Sequence, residues 1–383
     1  MESPSTIVVK VGTSSILRGD SGHLALSTLA SLVETLTTLR QAGHRVVLVS
    51  SGAVGVGCQR LNVKTRPSDH AELQALAAVG QPHLMAHYET LFSALKQPIA
   101  QVLLNPDALG SRPGYLNAQA TLEKLLAMGV VPVVNENDTV AVSELRFGDN
   151  DSLSALVAVL VGADHLFLAT DVDALYTKNP SAPLAPGEAP AEPIRVVQDI
   201  GSVLGCAVGG GSQWGTGGMA TKLRAAQLAA AAGIATSILS AQQPALVATL
   251  LGGSRDVGTT FLPGPKPLRS HKRWIMALPP RGALTLDAGA ARAVRNGSTL
   301  FAAGVRAATG GFHANEAVRI LDESGAEFAR GVCNYSCEQA GALAGRRSEE
   351  MATVLGFAGP EELIGRHNLA LLAAATPTEA EAA

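Results

Sequence analysis

Lys10-Val11-Gly12-Thr13-Ser14 sets a lysine, a glycine and two hydroxyls at the end of an apolar run, a combination suited to phosphate. Glycine lets backbone N–H groups approach an anion, hydroxyls add donors, and the ammonium adds a compact charge. The same residues also suit a lysine that only stretches past a sheet edge. Further along, Thr216-Gly217-Gly218-Met219-Ala220-Thr221-Lys222 puts two glycines ahead of a helical run over 220–232. A helix start offers unpaired N–H groups and the positive end of the helix dipole, and Lys222 adds charge beside it. A flexible glycine linker would look similar, with Gly209-Gly210-Gly211 just upstream. Asn135-Glu136-Asn137-Asp138 and Gly148-Asp149-Asn150-Asp151 complete the set. Paired acids can hold Mg²⁺ or a ligand amine, and amides can bind a carboxylate. Each cluster could also be only a turn, and Asp149 or Asn150 only a helix cap. No GxxxxGK[ST] sequence occurs, which excludes the ordinary P-loop. Two lysines, a glycine-rich helix start and acids together point to phosphoryl transfer, which needs positioning and charge neutralisation more than covalent chemistry.

The elements between these clusters must bring them together. Apolar runs at 6–12, 45–50, 99–104, 130–134 and 166–169 read as strands. Leu29, Leu32, Val33, Leu36 and Leu39 fall at helical spacing, with Gly43 as a stop. Helical patterns also cover 73–95, 115–128 and 152–160. Continuous rather than alternating strands suit a parallel sheet covered on both faces, and the strand–helix alternation predicts an α/β doubly wound domain over 1–262. Ligands of such sheets bind beyond the carboxyl ends of the strands. Lys10–Ser14, Ser50–Ala53, Asn135–Asp138 and Thr170-Asp171 all follow strands, which implies one shared site. Residues 178–193 read as an exposed loop, and the proline-rich then basic stretch 263–273 as a linker. Short strand-like pieces between glycine turns predict a small, mostly β, barrel-like domain over 274–358, with a short helix at 288–295. Residues 359–383 are expected to form a C-terminal segment with a frayed tail.

The 383 residues leave room for two domains of roughly 100–200 residues each. A net charge of -3 and 4% aromatic residues give no general attraction to nucleic acid or anionic membranes, and few platforms for base stacking. No apolar segment approaches the ~20 residues of a membrane span, and residues 1–6 lack the features of a signal peptide. A cytoplasmic location is expected. Cys58, Cys206, Cys333 and Cys337 form no CxxC pair and no zinc spacing, and read as buried or incidental thiols.

Six segments in order resemble the glutamate 5-kinases of the amino acid kinase family: Val8–Ser14, Val49–Ala53, Val134–Asp138, Gly148–Asp151, Thr170-Asp171 and Gly215–Lys222. Thr285-Leu286-Asp287, Gly289-Ala290, Gly297-Ser298, Leu300 and Gly331–Ser336 are similar to a PUA domain. The resemblance implies an amino-acid-kinase-like sandwich followed by a PUA-like barrel, and transfer of the ATP γ-phosphoryl group to the side-chain carboxylate of L-glutamate. It implies that Lys10 and Lys222 neutralise charge on the transferring group and that Asp151 orients them. Asp138 would pair with the substrate ammonium, and Ser51 and Asn150 would hydrogen-bond its carboxylates. Of the adjacent Ser50 and Ser51, the one preceding Gly52 is assigned to substrate. Lys10, Gly12, Thr170, Asp171, Thr216, Gly217, Gly218, Met219, Ala220, Thr221 and Lys222 would serve ATP. Mg²⁺ would travel with ATP on its phosphate oxygens, with no protein metal ligand assigned. Proline feedback inhibition, a homo-oligomer and association with glutamate-5-semialdehyde dehydrogenase (glutamyl phosphate reductase) are further implications. Acetylglutamate, uridylate or aspartate kinase activity is the nearest alternative. RNA binding through the PUA-like domain is another, but charges of both signs balance from Trp274 to Glu350.

Overall fold

A computed structural model of the chain describes residues 4–18, 23–105, 109, 112–139, 149–180, 189–207, 218–264, 270–278 and 280–372. The chain divides into two compact units, the second formed chiefly by Lys266–Ala374. In the first unit the strands are β1 (Thr6–Val11), β2 (Arg45–Ser50), β3 (Ile99–Leu104), β4 (Val131–Glu136) and β5 (His165–Thr170). A ribbon of β6 (Leu175–Tyr176) and β7 (Pro193–Ile194) follows, then β8 (Val196–Val197), β9 (Ala235–Ser240) and β10 (Thr259–Phe261). Among the described residues one sheet runs in the order β3-β4-β2-β1-β5-β9-β10-β8. It is parallel from β3 through β9, and β10 lies antiparallel to β9. Val46, Val47, Leu48 and Val49 are all fully buried. Successive strand residues point to opposite faces, so both faces of this sheet are covered, as continuous apolar strands require.

The crossovers are helical. They include α1 (Thr13–Ile16), α2 (Leu26–Gln41), α3 (Ala53–Arg60), α4 (His70–Ala94), α5 (Arg112–Ala127), α6 (Asn150–Leu160), α7 (Met219–Ala231) and α8 (Leu246–Leu251). The apolar stripe of α2 is buried from Leu29 to Leu39, and Gly43 takes the positive φ of 97° that lets the chain turn into β2. Every residue of α6 from Leu153 to Leu160 is buried, and all but Ser154 are apolar, so this helix is enclosed on every side. Its one buried charge is Asp151, in the first turn.

The second unit holds β11 (Gly282–Leu286), β12 (Val305–Gly310), β13 (Glu316–Leu321), β14 (Glu327–Cys333) and β15 (Leu369–Leu371), in the order β12-β11-β13-β14-β15. Helices α9 (Ser270–Ala277), α10 (Ala288–Arg295), α11 (Cys337–Leu343) and α12 (Ser348–Leu355) accompany the sheet. Asp287 caps α10 by accepting the Ala290 N–H at 2.8 Å. Buried Arg330 donates to the Met276 carbonyl at 2.9 Å and pairs with Glu327 at 2.8 Å, tying the end of α9 to β14.

Two segments differ from the expected layout. Helix α9 lies across the end of the stretch 263–273 expected as a linker. Residues beyond 358 supply β15, which pairs with β14, and Leu363, Ile364 and Leu369 join the core of the second unit. A three-residue Leu-Ala-Leu strand is too short to show a period in sequence. Much of the expected loop 178–193, and the tail from 373, lie outside the described residues.

Candidate active site

Strands β1, β2, β4, β5 and β9 all point their carboxyl ends the same way, so the polar clusters that follow them share one sheet edge. Lys10 sits in the last turn of the pleat on β1, and only 5% of its surface is exposed. That rules out a lysine merely reaching for water. Its Nζ lies 2.6 Å from Asp151 Oδ1. Lys222, in the first turns of α7 and equally buried, places Nζ 3.2 Å from Asp151 Oδ2. The Thr221 hydroxyl is 2.7 Å from the same Oδ2 and accepts the Gly218 N–H at 3.1 Å. Asp151 therefore stands between two buried ammonium groups, one from each end of the first unit. Burial pushes its carboxyl pKa up, but Lys10 and Lys222, with hydrogen bonds from Lys10 and Thr221, outweigh burial and hold it at about 2. The cluster carries one net positive charge in a water-poor place, which suits a group that gains negative charge during reaction.

Asp149 N-caps α6, accepting the Ser152 N–H at 2.7 Å and facing the Ser152 hydroxyl at 3.2 Å. Burial, and then the charge of Asp151, raise its pKa. Beside this helix start opens a cleft lined among others by Ser51, Arg66, Asn135, Asp138, Asp149 and Asn150. Gly52 takes φ 109° at the turn from β2 into α3, a left-handed conformation that side chains strain, and this turn presents Ser51 to the cleft. Asn150 Nδ2 donates to Ser51 Oγ at 2.8 Å and to Asn135 Oδ1 at 3.0 Å. The same Nδ2 also faces the Ser50 carbonyl at 3.4 Å, so Asn150 presents its donor group here, and Ser51 accepts from it and keeps its own proton to donate to a ligand. Asn150 and Asp151 are consecutive, so the cleft and the lysine cluster share one helix start.

The two serines separate cleanly. Ser50 is 1% exposed, and its hydroxyl lies 2.8 Å from the buried Tyr88 hydroxyl. Burial raises the Tyr88 pKa, so this phenol stays protonated and bonded. Ser50→Ala should lower stability by about 1–3 kcal/mol, because it leaves the Tyr88 hydroxyl buried without this partner. Ser51→Ala should instead raise the acceptor KM by roughly tenfold, the worth of one hydrogen bond to a charged group, with little change in Tm. Thermal melts and acceptor titrations of both variants check this; the opposite assignment of effects would contradict it.

Thr170 ends β5 with its hydroxyl 2.9 Å from the carboxylate of Asp171, at the same sheet edge. Gly12 follows β1 in an extended conformation, and a Cβ there would stand 3.5 Å from Lys10 Nζ. Gly218, Met219, Ala220, Thr221 and Lys222 form the cap and first turns of α7. Thr216 and Gly217 lie outside the described residues. Arg66 and Val54 line the cleft without belonging to any motif in the sequence, and Thr13 of the first motif lines it too. Asn135 was visible only as part of a polar cluster, because its role depends on contact with Asn150 across the sheet edge.

Known proteins can be set beside this geometry. The Amino acid kinase family profile matches residues 5–240, and the PUA domain profile matches 282–355. A glutamate 5-kinase from Acaryochloris marina is 50% identical over 369 residues, covering 96% of this chain and 99% of that protein. One from Rippkaea orientalis is 52% identical over 370 residues, again 96% of this chain and 99% of that protein. Among solved structures, carbamate kinase from Giardia lamblia bound to AMP-PNP is similar over 69% of this chain and 100% of that chain, with 17% identity and a TM-score of 0.48. By its match to the family profile over more than half its length, the chain belongs to the amino acid kinase family.

Proposed function

We propose that the chain is a glutamate 5-kinase that uses ATP to phosphorylate the side-chain carboxylate of L-glutamate. The products are L-glutamyl 5-phosphate and ADP, and the reaction opens proline biosynthesis from glutamate. Curated relatives at about half identity over 96% of the chain support it. The observation that carries the chemistry is the buried Lys10–Asp151–Lys222 cluster beside a polar cleft.

A carboxylate oxygen of glutamate attacks the γ-phosphorus, the bond from that phosphorus to the β,γ-bridging oxygen breaks, and ADP leaves with the electron pair. Negative charge spreads over the transferring oxygens and onto the leaving phosphate. Lys10 and Lys222 meet that charge, and Asp151 holds both ammonium groups in place without a reorganisation at the moment of transfer. ATP arrives with Mg²⁺ on its phosphate oxygens. Thr170, Asp171 and the segment 216–222 hold the nucleotide. The Ser51 hydroxyl and Asn150 take a glutamate carboxylate, and Asp138 takes the ammonium.

Asp138→Ala should raise the glutamate KM by roughly 10- to 100-fold, as expected for losing a charged hydrogen-bond partner, and leave the ATP KM within a few-fold. Steady-state kinetics in both substrates check it; an unchanged glutamate KM would place the substrate elsewhere. The proposal extends to feedback inhibition by proline, a homo-oligomeric state, a cytoplasmic location and association with glutamate-5-semialdehyde dehydrogenase, which would consume a labile acyl phosphate. Among the described residues no helix is long and apolar enough to cross a membrane.

A further inference from the structure

The hydrogen-bond polarity of the acceptor cleft is supported from outside it. Ser51 can offer its proton to a carboxylate only if Asn150 presents Nδ2, not Oδ1, to Ser51 Oγ. Asn150 keeps that orientation because Asn135 Oδ1 at 3.0 Å and the Ser50 carbonyl at 3.4 Å both accept from the same Nδ2. Asn135 in turn could rotate its amide by half a turn. It is 3% exposed, so it cannot use water to satisfy either arrangement. Gln81 on α4 supports the same arrangement, its Oε1 accepting from Asn135 Nδ2 at 2.9 Å. Gly80 brings Gln81 within reach: a Cβ at this position would collide with the Ala53 carbonyl and the Gly57 N–H of α3, so only glycine lets α4 pack this closely.

We infer that Gln81 is a positioning residue that reinforces the donor–acceptor polarity of the chain Gln81–Asn135–Asn150–Ser51 and thereby favours an ionised carboxylate in the cleft. This rests on Ser51 and Asn150 binding the carboxylate of glutamate. Gln81 lies 54 residues from Asn135 in sequence and has no contact with the ligand in this scheme. Its effect should therefore follow the polarity of the side chain at 81, not its size.

Gln81→Glu supplies an acceptor only and preserves the polarity. Gln81→Lys supplies a donor only. Asn135 must then turn Oδ1 toward position 81 and Nδ2 toward Asn150, so Asn150 turns Oδ1 toward Ser51 and draws the serine proton away from the ligand. Full-length variants are compared for glutamate KM, ATP KM, kcat and Tm. The glutamate KM of Gln81→Lys should exceed that of Gln81→Glu by about tenfold or more, while their ATP KM and kcat agree within about threefold. Gln81→Leu, which can neither accept nor donate, should fall above Gln81→Glu, and it carries the comparison if the lysine variant does not fold. Equal glutamate KM values across the folded variants would overturn the inference. Ser51→Ala measured alongside distinguishes the two failures. A normal glutamate KM for Ser51→Ala removes the acceptor reading itself, whereas a raised one with equal Gln81 variants removes only the relay.

Discussion

Lys10→Ala should lower kcat by about 10²–10³-fold, the loss seen when one preorganised group facing developing charge is removed, while the protein stays folded. Lys10 is the nearer partner of Asp151, at 2.6 Å, and is buried where water cannot replace it. The charge it meets is greatest in the transition state, so turnover should suffer more than substrate affinity, and the KM values for ATP and glutamate should move by less than about tenfold. Asp151 keeps Lys222 and Thr221 after this change, so no buried charge is left alone and folding should survive. A Lys10→Ala enzyme with near-normal kcat would remove Lys10 from the chemistry and leave it a structural ion pair.

Asp151→Asn should be the more damaging change. It removes the carboxylate that pairs with both Lys10 and Lys222, and leaves two buried ammonium groups near one another. Breaking a buried ionic arrangement in this way costs about 3–5 kcal/mol, and a misplaced lysine pair should take kcat down by at least about 10²-fold. Because MgATP brings its own negative charge to the same place, it should stabilise this variant more than the wild type, visible as a larger ligand-induced rise in Tm. The acid limb of stability should change too. The carboxyl of Asp151 sits at about 2 when folded, against an ordinary 3.8, so its contribution is complete above about pH 4 and is lost as pH falls through 2. That difference amounts to about 2 kcal/mol, and Asp151→Asn should flatten this part of the pH–stability curve. A variant with wild-type Tm and an unaltered acid limb would show that the cluster is not held as described.

The parallel sheet was legible because burial on both faces leaves an unmistakable trace. Val46-Val47-Leu48-Val49 alternates nothing, and Gly43 before it and Ser51-Gly52 after it mark both ends. Lys10 was only half legible. A strand-end lysine reads alike whether it snorkels or serves, and the difference is its burial against Asp151. Ser50 and Ser51 could not be separated by type; the pleat turns one toward Tyr88 and the other toward the cleft. Gln81 was invisible, because the middle of a long helix carries no mark of a bond to a residue 54 positions away. Strand β15 escaped for a related reason: three residues acquire meaning only through pairing with β14.

Glutamate is the element of the account most open to direct trial. Purified protein with MgATP and hydroxylamine should form γ-glutamyl hydroxamate when L-glutamate is supplied, and ADP in equal amount, because hydroxylamine traps the acyl phosphate. N-acetylglutamate, aspartate and UMP should release ADP at no more than a few per cent of that rate, since losing one charged hydrogen-bond partner at Asp138 or Ser51 already weakens binding by about tenfold or more. Efficient turnover of any of those three, with glutamate inert, would contradict the assignment of the cleft.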